Sequence, residues 1–370
     1  MAPKYEKMDA ITHMHRRPDM YVGSTSEITS NRVEWVCDED WKIVAKDKLV
    51  YIPALFRIFI EAVSNAVDNV WRSRTEGVAC KRLEIEIDRE KNEFSVLNDG
   101  LIIPFMETHK ETGIRIPELI FGHLMTSTNY DDKEERFSSG RNGLGINCTN
   151  IFSNEFSVEI YDEKLGQVYI QKWKNHMRKC SEPVVKSKSS KGGSYVKVKW
   201  RPDMSLFGIT EISDDMMTMF QKYCLDVATI TKIPIKLNGS KITVKTLMDY
   251  VKMYPEIEEV AMISKTEDLE VVLTNSSGHG YQEIVFTNGI YNRDGGVYVD
   301  FIVTEILKAV KTGLSQKKQT CPLSNRELRE YFQVFVNARL KNPEFNNQSK
   351  DRVMKPTIKK FEVDSKCVNQ

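Results

Sequence analysis

From Pro53 onward the apolar residues Leu55, Ile58, Phe59, Ala62, Val63, Ala66, Val67 and Val70 recur at spacings of three and four. That is the period of a helix that lays one face on a core. Pro53 stands at the first helical position, where its missing N–H matters little. Next, "LEIEID" alternates, "REKNE" turns and "FSVL" returns to "NDG", which predicts a hairpin. Residues 101–145 read as loop-rich, interrupted by a helical "IPELIFGHLM" and closed by "SSGRNGLGIN". Three strands follow, "FSVEIY", "VYIQKW" and "SYVKVKW", and then a helix over 212–231. The first 50 residues look polar and irregular, with "RRPDMYVGS" as a loop.

The pattern changes at 234–239. A second βα region carries the strands "LEVVLTN" and "YQEIVFTNGI", a helix over about 297–311, and the strand "YFQVFVNARL". The reading is therefore an α+β or α/β protein of two domains, 1–237 and 238–370. No internal repeat or low-complexity segment is visible.

Composition narrows this only a little. Hydrophobic residues make up 41% and charged residues 28%, enough for packed cores. The net charge of +1 gives no overall field for a polyanion. No apolar run is long enough for a membrane span, and the N-terminus lacks a secretory apolar region. Seven cysteines without a C-x-x-C pair argue against a disulfide framework or zinc site and fit a reducing compartment.

The candidate chemistry begins on the first long helix. At 100° per residue Glu61, Asn65, Asp68 and Arg72 fall within about 60° of one another, opposite the apolar stripe. Asn69 lies beside them. Asn and Asp are weak helix formers, so their clustering is unusual. Asn offers a neutral oxygen to a hard cation, and a nearby Glu can take a proton from water. A solvated face of odd composition is the competing reading. "NDG" (98–100) reads equally as a turn. "SSGRNGLGIN" (138–147) leads into a helical run, so its backbone N–H groups can face an anion. It lacks the G-K-[ST] of a Walker A loop and does not follow the first strand of a βαβ unit. "NPEFNNQSKD", with Gln348 and Lys350, is by itself an ordinary charged loop.

The order of these pieces carries more than any one of them. E-x-x-x-N-x-x-D-N on a helix, strand–turn–strand to N-D-G, and then G-x-x-G-x-G resemble the Bergerat ATP-binding fold of the GHKL superfamily. The segments "HRRPDMYVGS", "LIFGHLMTSTNYDD", "GRNGLG", "NIFS", "YVKMY" and "VFVNARLKNPEFNNQSK" are most similar to eukaryotic-type type II DNA topoisomerases, over nearly the whole chain. The resemblance implies a two-layer α/β sandwich followed by a smaller α/β transducer domain, ATP and Mg²⁺ as cofactors, and hydrolysis. It makes Glu61 the general base, Asn65 the Mg²⁺ ligand and Asn98 the adenine reader. Asn69 joins the nucleotide site, and Ser127, Thr128 and Asn129 match ribose and phosphate contacts. Arg141, Asn142, Gly143, Leu144, Gly145, Ile146 and Asn147 form the phosphate loop and lid. Gln348 and Lys350 match a transducer loop that reaches the γ-phosphate, with Ser349 in place of Thr. The segment around Tyr21 would exchange onto a partner in an ATP-dependent homodimer. Double-stranded DNA would be met through the full-length enzyme, inside a nucleus or a viral or cytoplasmic replication compartment.

Two departures stand out. Leu101 and Ile102 replace the family's Lys and Gly after N-D-G, and Asn147 stands where the family has Lys. A gyrase B subunit, a MutL-type or chaperone clamp, and a histidine-kinase ATP domain share parts of the pattern. With 20 residues after Lys350, the chain is expected to be an ATPase–transducer fragment unable to cut DNA.

Overall fold

The computed structural model describes residues 6–126, 143–190, 192–276, 278–347 and 349–363. The chain starts with α1 (Ala10–Arg16), a 3-10 turn (Pro18–Met20) and the short strands β1 (Ile28–Thr29), β2 (Glu34–Cys37), β3 (Ile43–Lys46) and β4 (Val50–Tyr51). The region read as irregular thus holds a hairpin, with β2 antiparallel to β3 and Glu34 opposite Lys46. Strands of four residues are too short for an alternating pattern to stand out.

Then come α2 (Pro53–Thr75), β5 (Leu83–Asp88), β6 (Glu93–Asn98), α3 (Ile116–Gly122), α4 (Gly145–Ile151), β7 (Ser153–Asp162), β8 (Gln167–Lys174), β9 (Lys179–Cys180), β10 (Val184–Ser187), β11 (Tyr195–Pro202) and α5 (Asp214–Thr231). β12 (Ile235–Leu237) and β13 (Ser240–Ile242) close the first unit. Among the described residues these strands form one nine-stranded sheet in the order β10-β8-β7-β11-β6-β5-β12-β13, with β9 on β8. One face is covered by α2, α4 and α5, where Phe59 meets Phe220 at 4.5 Å and Phe94 stacks on Trp200 at 5.2 Å. On β11, Val196, Val198 and Trp200 point into this core. Lys199 and Arg201, on the other face, pair with Glu93 and Glu155 at 2.7 and 2.9 Å. This is the period-two division of a sheet with one wet face.

The sheet does not stop where the sequence suggested. β12 pairs parallel with β5, and β13 returns on β12 through Ile242. The expected division at 237/238 therefore falls inside a hairpin of the first sheet. The second unit holds α6 (Leu247–Val251), β14 (Val260–Lys265), β15 (Leu269–Asn275), β16 (Gln282–Thr287), β17 (Ile290–Tyr291), α7 (Val297–Gln316), α8 (Asn325–Arg329), β18 (Phe332–Ala338), β19 (Glu344–Phe345) and β20 (Val353–Lys355). Its five-stranded sheet runs β14-β15-β18-β16-β17, with β16 parallel to β18. Val271, Val285, Val334 and Val336 meet α7 on one face. Val272, Ile284, Phe286 and Phe335 join the core of the first unit on the other, beside Tyr250 and Tyr254. Covering on both faces explains the near-continuous apolar runs of β16 and β18. It also makes the two units share a hydrophobic seam.

Candidate active site

The stripe on α2 is buried as expected, but its polar side divides. Glu61 and Asn69 turn inward, at 6% and 5% exposure, while Asn65 faces solvent and Asp68 is half-buried. The Glu61 carboxylate is paired with Arg57 of the preceding helical turn, Nη2 to Oε1 at 2.6 Å. Burial pushes the Glu61 carboxyl upward. The Arg57 guanidinium, then the Lys350 ammonium, outweigh that and hold it below the ordinary carboxylate range.

Glu61 also touches the start of α4. A Cβ on Gly145 would lie 1.9 Å from Glu61 Oε2, so only glycine fits there. Gly143 has φ +59°, and a Cβ on it would lie 2.4 Å from the Thr126 carbonyl. Among the described residues no side chain caps α4, so a ligand can meet the N–H groups of its first turn. The helix is seated by Thr149, whose hydroxyl donates to the Ile58 carbonyl of α2 at 2.8 Å. Asn150 donates to the Phe121 carbonyl at the end of α3 at 2.9 Å.

Lys350 arrives from the loop between β19 and β20. It is 7% exposed, and its charge interacts with Glu61, Arg57 and Asp68. Burial lowers its pKa below the ordinary lysine range, against the pull of the two carboxylates. Arg57 Nη1 donates to the Ser349 carbonyl at 2.9 Å, so one guanidinium holds both Glu61 and this loop. Two residues some 290 apart in sequence, which no local pattern links, thus meet in one buried cluster.

Other expected site residues take different places. Asn69 Nδ2 donates to the carbonyls of Asp99 and Leu101, at 3.2 and 3.0 Å, and its Oδ1 accepts from Arg72. It pins the N-D-G turn and has its hydrogen bonds within the protein. Asn98 is buried and its amide folds back on the Asp99 carbonyl at 3.0 Å. Asp99 Oδ1 accepts from the N–H groups of Lys81 and Arg82. Gly100, at φ +95°, makes the bend alone, because a Cβ there would strike Ser73 Oγ at 2.5 Å. Leu101 and Ile102, the departures from the family pattern, are half-buried and leave that bend intact. Asn147 is fully buried, with Nδ2 donating to the His123 carbonyl. It ties α4 to the residue after α3. Ile146 is buried and Leu144 half-buried. Ser127, Thr128, Asn129, Arg141, Asn142 and Gln348 lie outside the described residues.

Arg57 was not singled out in the sequence. Its position one turn before Glu61, within reach on the same side of the helix, was the available signal.

The ATPase region of Saccharomyces cerevisiae topoisomerase II superposes on this chain with a TM-score of 0.90 at 32% identity, covering 100% of this chain and 95% of that structure. The chain belongs to the type II DNA topoisomerase family. The ATPase and transducer domains of topoisomerase II from Balamuthia mandrillaris match with a TM-score of 0.91 at 31% identity, over 100% of this chain and 94% of theirs. Yeast DNA topoisomerase 2 is 33% identical over 98% of this chain and 26% of its own length. The topoisomerase chain thus spans about a quarter of that curated relative. A family model described as DNA gyrase B matches residues 233–367. The fold is the two-layer α/β GHKL fold followed by a transducer, as the motifs implied. Among the described residues, no helix is long and apolar enough to cross a membrane.

Proposed function

We propose that this topoisomerase region is an ATP-hydrolysing gate, in which Glu61 activates water and Lys350 reads the γ-phosphate. The observation that carries the reading is the burial of Lys350, from the second unit, beside Glu61 of the first. Phosphoryl transfer to water needs a positioned nucleophile, charge neutralisation and exclusion of bulk solvent. Glu61 stays ionised through Arg57 and so can accept a proton. Lys350 brings a compact positive charge. The uncapped start of α4 offers backbone N–H groups to the phosphates.

Among the described residues, no cluster of three His, Cys, Asp or Glu side chains is built for a metal. Exposed Asn65 on α2 fits a cation that takes most of its oxygens from phosphates and water. Mg²⁺ there would neutralise charge between the phosphate groups. Asn98 and Asn69 border the base end, with Asn69 acting through the turn it pins. The two units divide between Ile242 and Val260 in this reading, and the work takes place in a nuclear, viral or cytoplasmic replication compartment.

The gate reading is tested by size. Light scattering is expected to give a monomer for the chain alone and a dimer with a non-hydrolysable ATP analogue plus Mg²⁺. One unchanged mass under both conditions would sink it. A second expectation concerns DNA. Lys317 and Lys318 are exposed just beyond α7, and Lys311 lies in its last turns. We propose that they touch duplex DNA carried by the full enzyme. Each phosphate contact contributes about 0.9 to the salt slope. Replacing all three by Ala should weaken DNA stimulation of the ATPase and flatten that slope by up to about 3. An unaltered slope would make the cluster a plain solvated loop.

A further inference from the structure

We infer that Asn292 is a positioning residue for Lys350, an inference that rests on the role proposed above for that lysine. Asn292 lies in the turn between β17 and α7, is fully buried, and donates from Nδ2 to the Lys350 carbonyl at 2.8 Å. Lys350 has φ +59°. A lysine in the left-handed region has no local reason to stay there. Its conformation is held from outside.

The hydrogen bonds around it show what does the holding. The Asp294 N–H donates to the Asp351 carbonyl at 2.8 Å, and the Val353 N–H donates to the Gly295 carbonyl at 3.0 Å. Arg352 Nη1 donates to the Asp294 carbonyl at 2.7 Å. These contacts fix residues 351–353 against the turn. Among the described residues, the Lys350 N–H donates to the Asn347 carbonyl at 3.1 Å, the Asp351 N–H donates to Asn347 Oδ1 at 3.2 Å, and the Lys350 carbonyl accepts from the Asn292 amide. Asn292 Oδ1, by contrast, is buried without a hydrogen-bond partner among the described residues. A buried acceptor left unpaired is unfavourable, so a residue that only filled space would be better apolar. What Asn supplies is the donor.

The same turn is fastened to the first unit. Arg293 pairs with Glu34 of β2 and donates to the Tyr51 hydroxyl at 3.1 Å. Arg32 bonds Asp294 at 3.2 Å and the Arg293 carbonyl at 3.2 Å. Arg32 just before β2, Glu34 at its start and Tyr51 of β4 therefore seat residues 293 and 294 while Asn292, next to them, aims the lysine. Seating of the two units and placement of Lys350 are made by three consecutive residues.

The test is a turnover comparison of Asn292→Asp, Asn292→Ser and Lys350→Ala, alone and combined, in the full 370-residue chain. Asn292→Asp keeps the shape and loses the donor when its carboxyl is ionised, so turnover is read at a pH that ionises it. Its kcat is expected to fall by about tenfold, with ADP affinity within about twofold of the parent. Asn292→Ser keeps a short donor and is expected to recover part of that loss. In the Lys350→Ala background, Asn292→Asp is expected to have no further effect on kcat, because its target is already gone. A kcat for Asn292→Asp within about twofold of the parent overturns the inference. So does a loss that multiplies with Lys350→Ala, which marks a merely structural residue. Should Asn292→Asp fail to fold, Asn292→Ala replaces it in the same cycle. Normal turnover of Lys350→Ala itself would instead overturn the proposed role of the lysine, and the inference with it.

Discussion

Glu61→Gln is expected to lower ATP turnover by about a hundredfold or more while nucleotide binding persists. The amide has the length of the acid, so it clears the start of α4 at Gly145 as the carboxylate does. It cannot accept a proton from water. A general base contributes about 10²–10⁴-fold in rate, and its efficiency follows its basicity. Here Arg57 and Lys350 both hold Glu61 ionised and below the ordinary carboxylate range, so it is a weak base. That puts the loss toward the lower end of the span. Stability should fall as well, because Arg57 is left buried with its carboxylate partner gone. The sign of the pH effect follows from the same pair. In the proposed base role Glu61 would act deprotonated, and its folded-state pKa is depressed. Its contribution to stability is therefore present above the unfolded pKa and lost as pH falls through the folded one. The acid limb of turnover should lie below the ordinary carboxylate range. Steady-state turnover of the variant near that of the parent would remove Glu61 from the base role.

How much of this was legible depended on whether the signal was local. α2, the β5–β6 hairpin, α5 and α7 carry periodic patterns long enough to read, and they were read within a few residues. The β2–β3 hairpin has four-residue strands, and nothing in them separates strand from loop. The division of the units was read at 237/238, where the local pattern changes, whereas β12 pairs with β5, a partner some 150 residues earlier that no local pattern announces. In the site, helical geometry placed Glu61 on one face with Asn65 and Asp68. It did not say which members of that face are buried. That depends on α4 and on the N-D-G turn, which are brought against α2 only by the fold. Asn69 and Asn147 drew attention as polar residues in a nucleotide motif. Both use their amides to hold backbone carbonyls, of Asp99 and Leu101 in one case and His123 in the other. Arg57 was hidden because an arginine on the polar side of a helix reads as an ordinary solvated residue until its burial and its partner are known.

The fold brings Lys350 to Glu61, and the expected result of removing it is a severe loss of turnover at nearly unchanged ADP affinity. Two effects of Lys350→Ala oppose each other. Without the ammonium, Glu61 keeps only Arg57, its pKa rises toward the ordinary range, and it becomes a somewhat better base. Against this, in the proposed role the γ-phosphate would lose a buried cation that neutralises charge as the bond to the leaving group breaks. Removing one such preorganised contact typically costs about 10²–10³-fold in rate. A modest gain in basicity returns far less than that, so the loss wins. ADP lacks the group that Lys350 would meet, which is why its affinity should stay. The alkaline side of the profile gives an independent check. Burial lowers the Lys350 pKa, so the parent should lose turnover as pH rises, below the range of an ordinary lysine. The variant should lack that limb. Because the same loop is tied to Arg57 through the Ser349 carbonyl, the angle between the units should no longer follow the nucleotide once Lys350 is gone. Scattering with ADP and with an ATP analogue would then give matching profiles. If affinities for ADP and the analogue fell together while saturated turnover stayed normal, Lys350 would be a general binding residue, and a switch driven by the γ-phosphate would be ruled out.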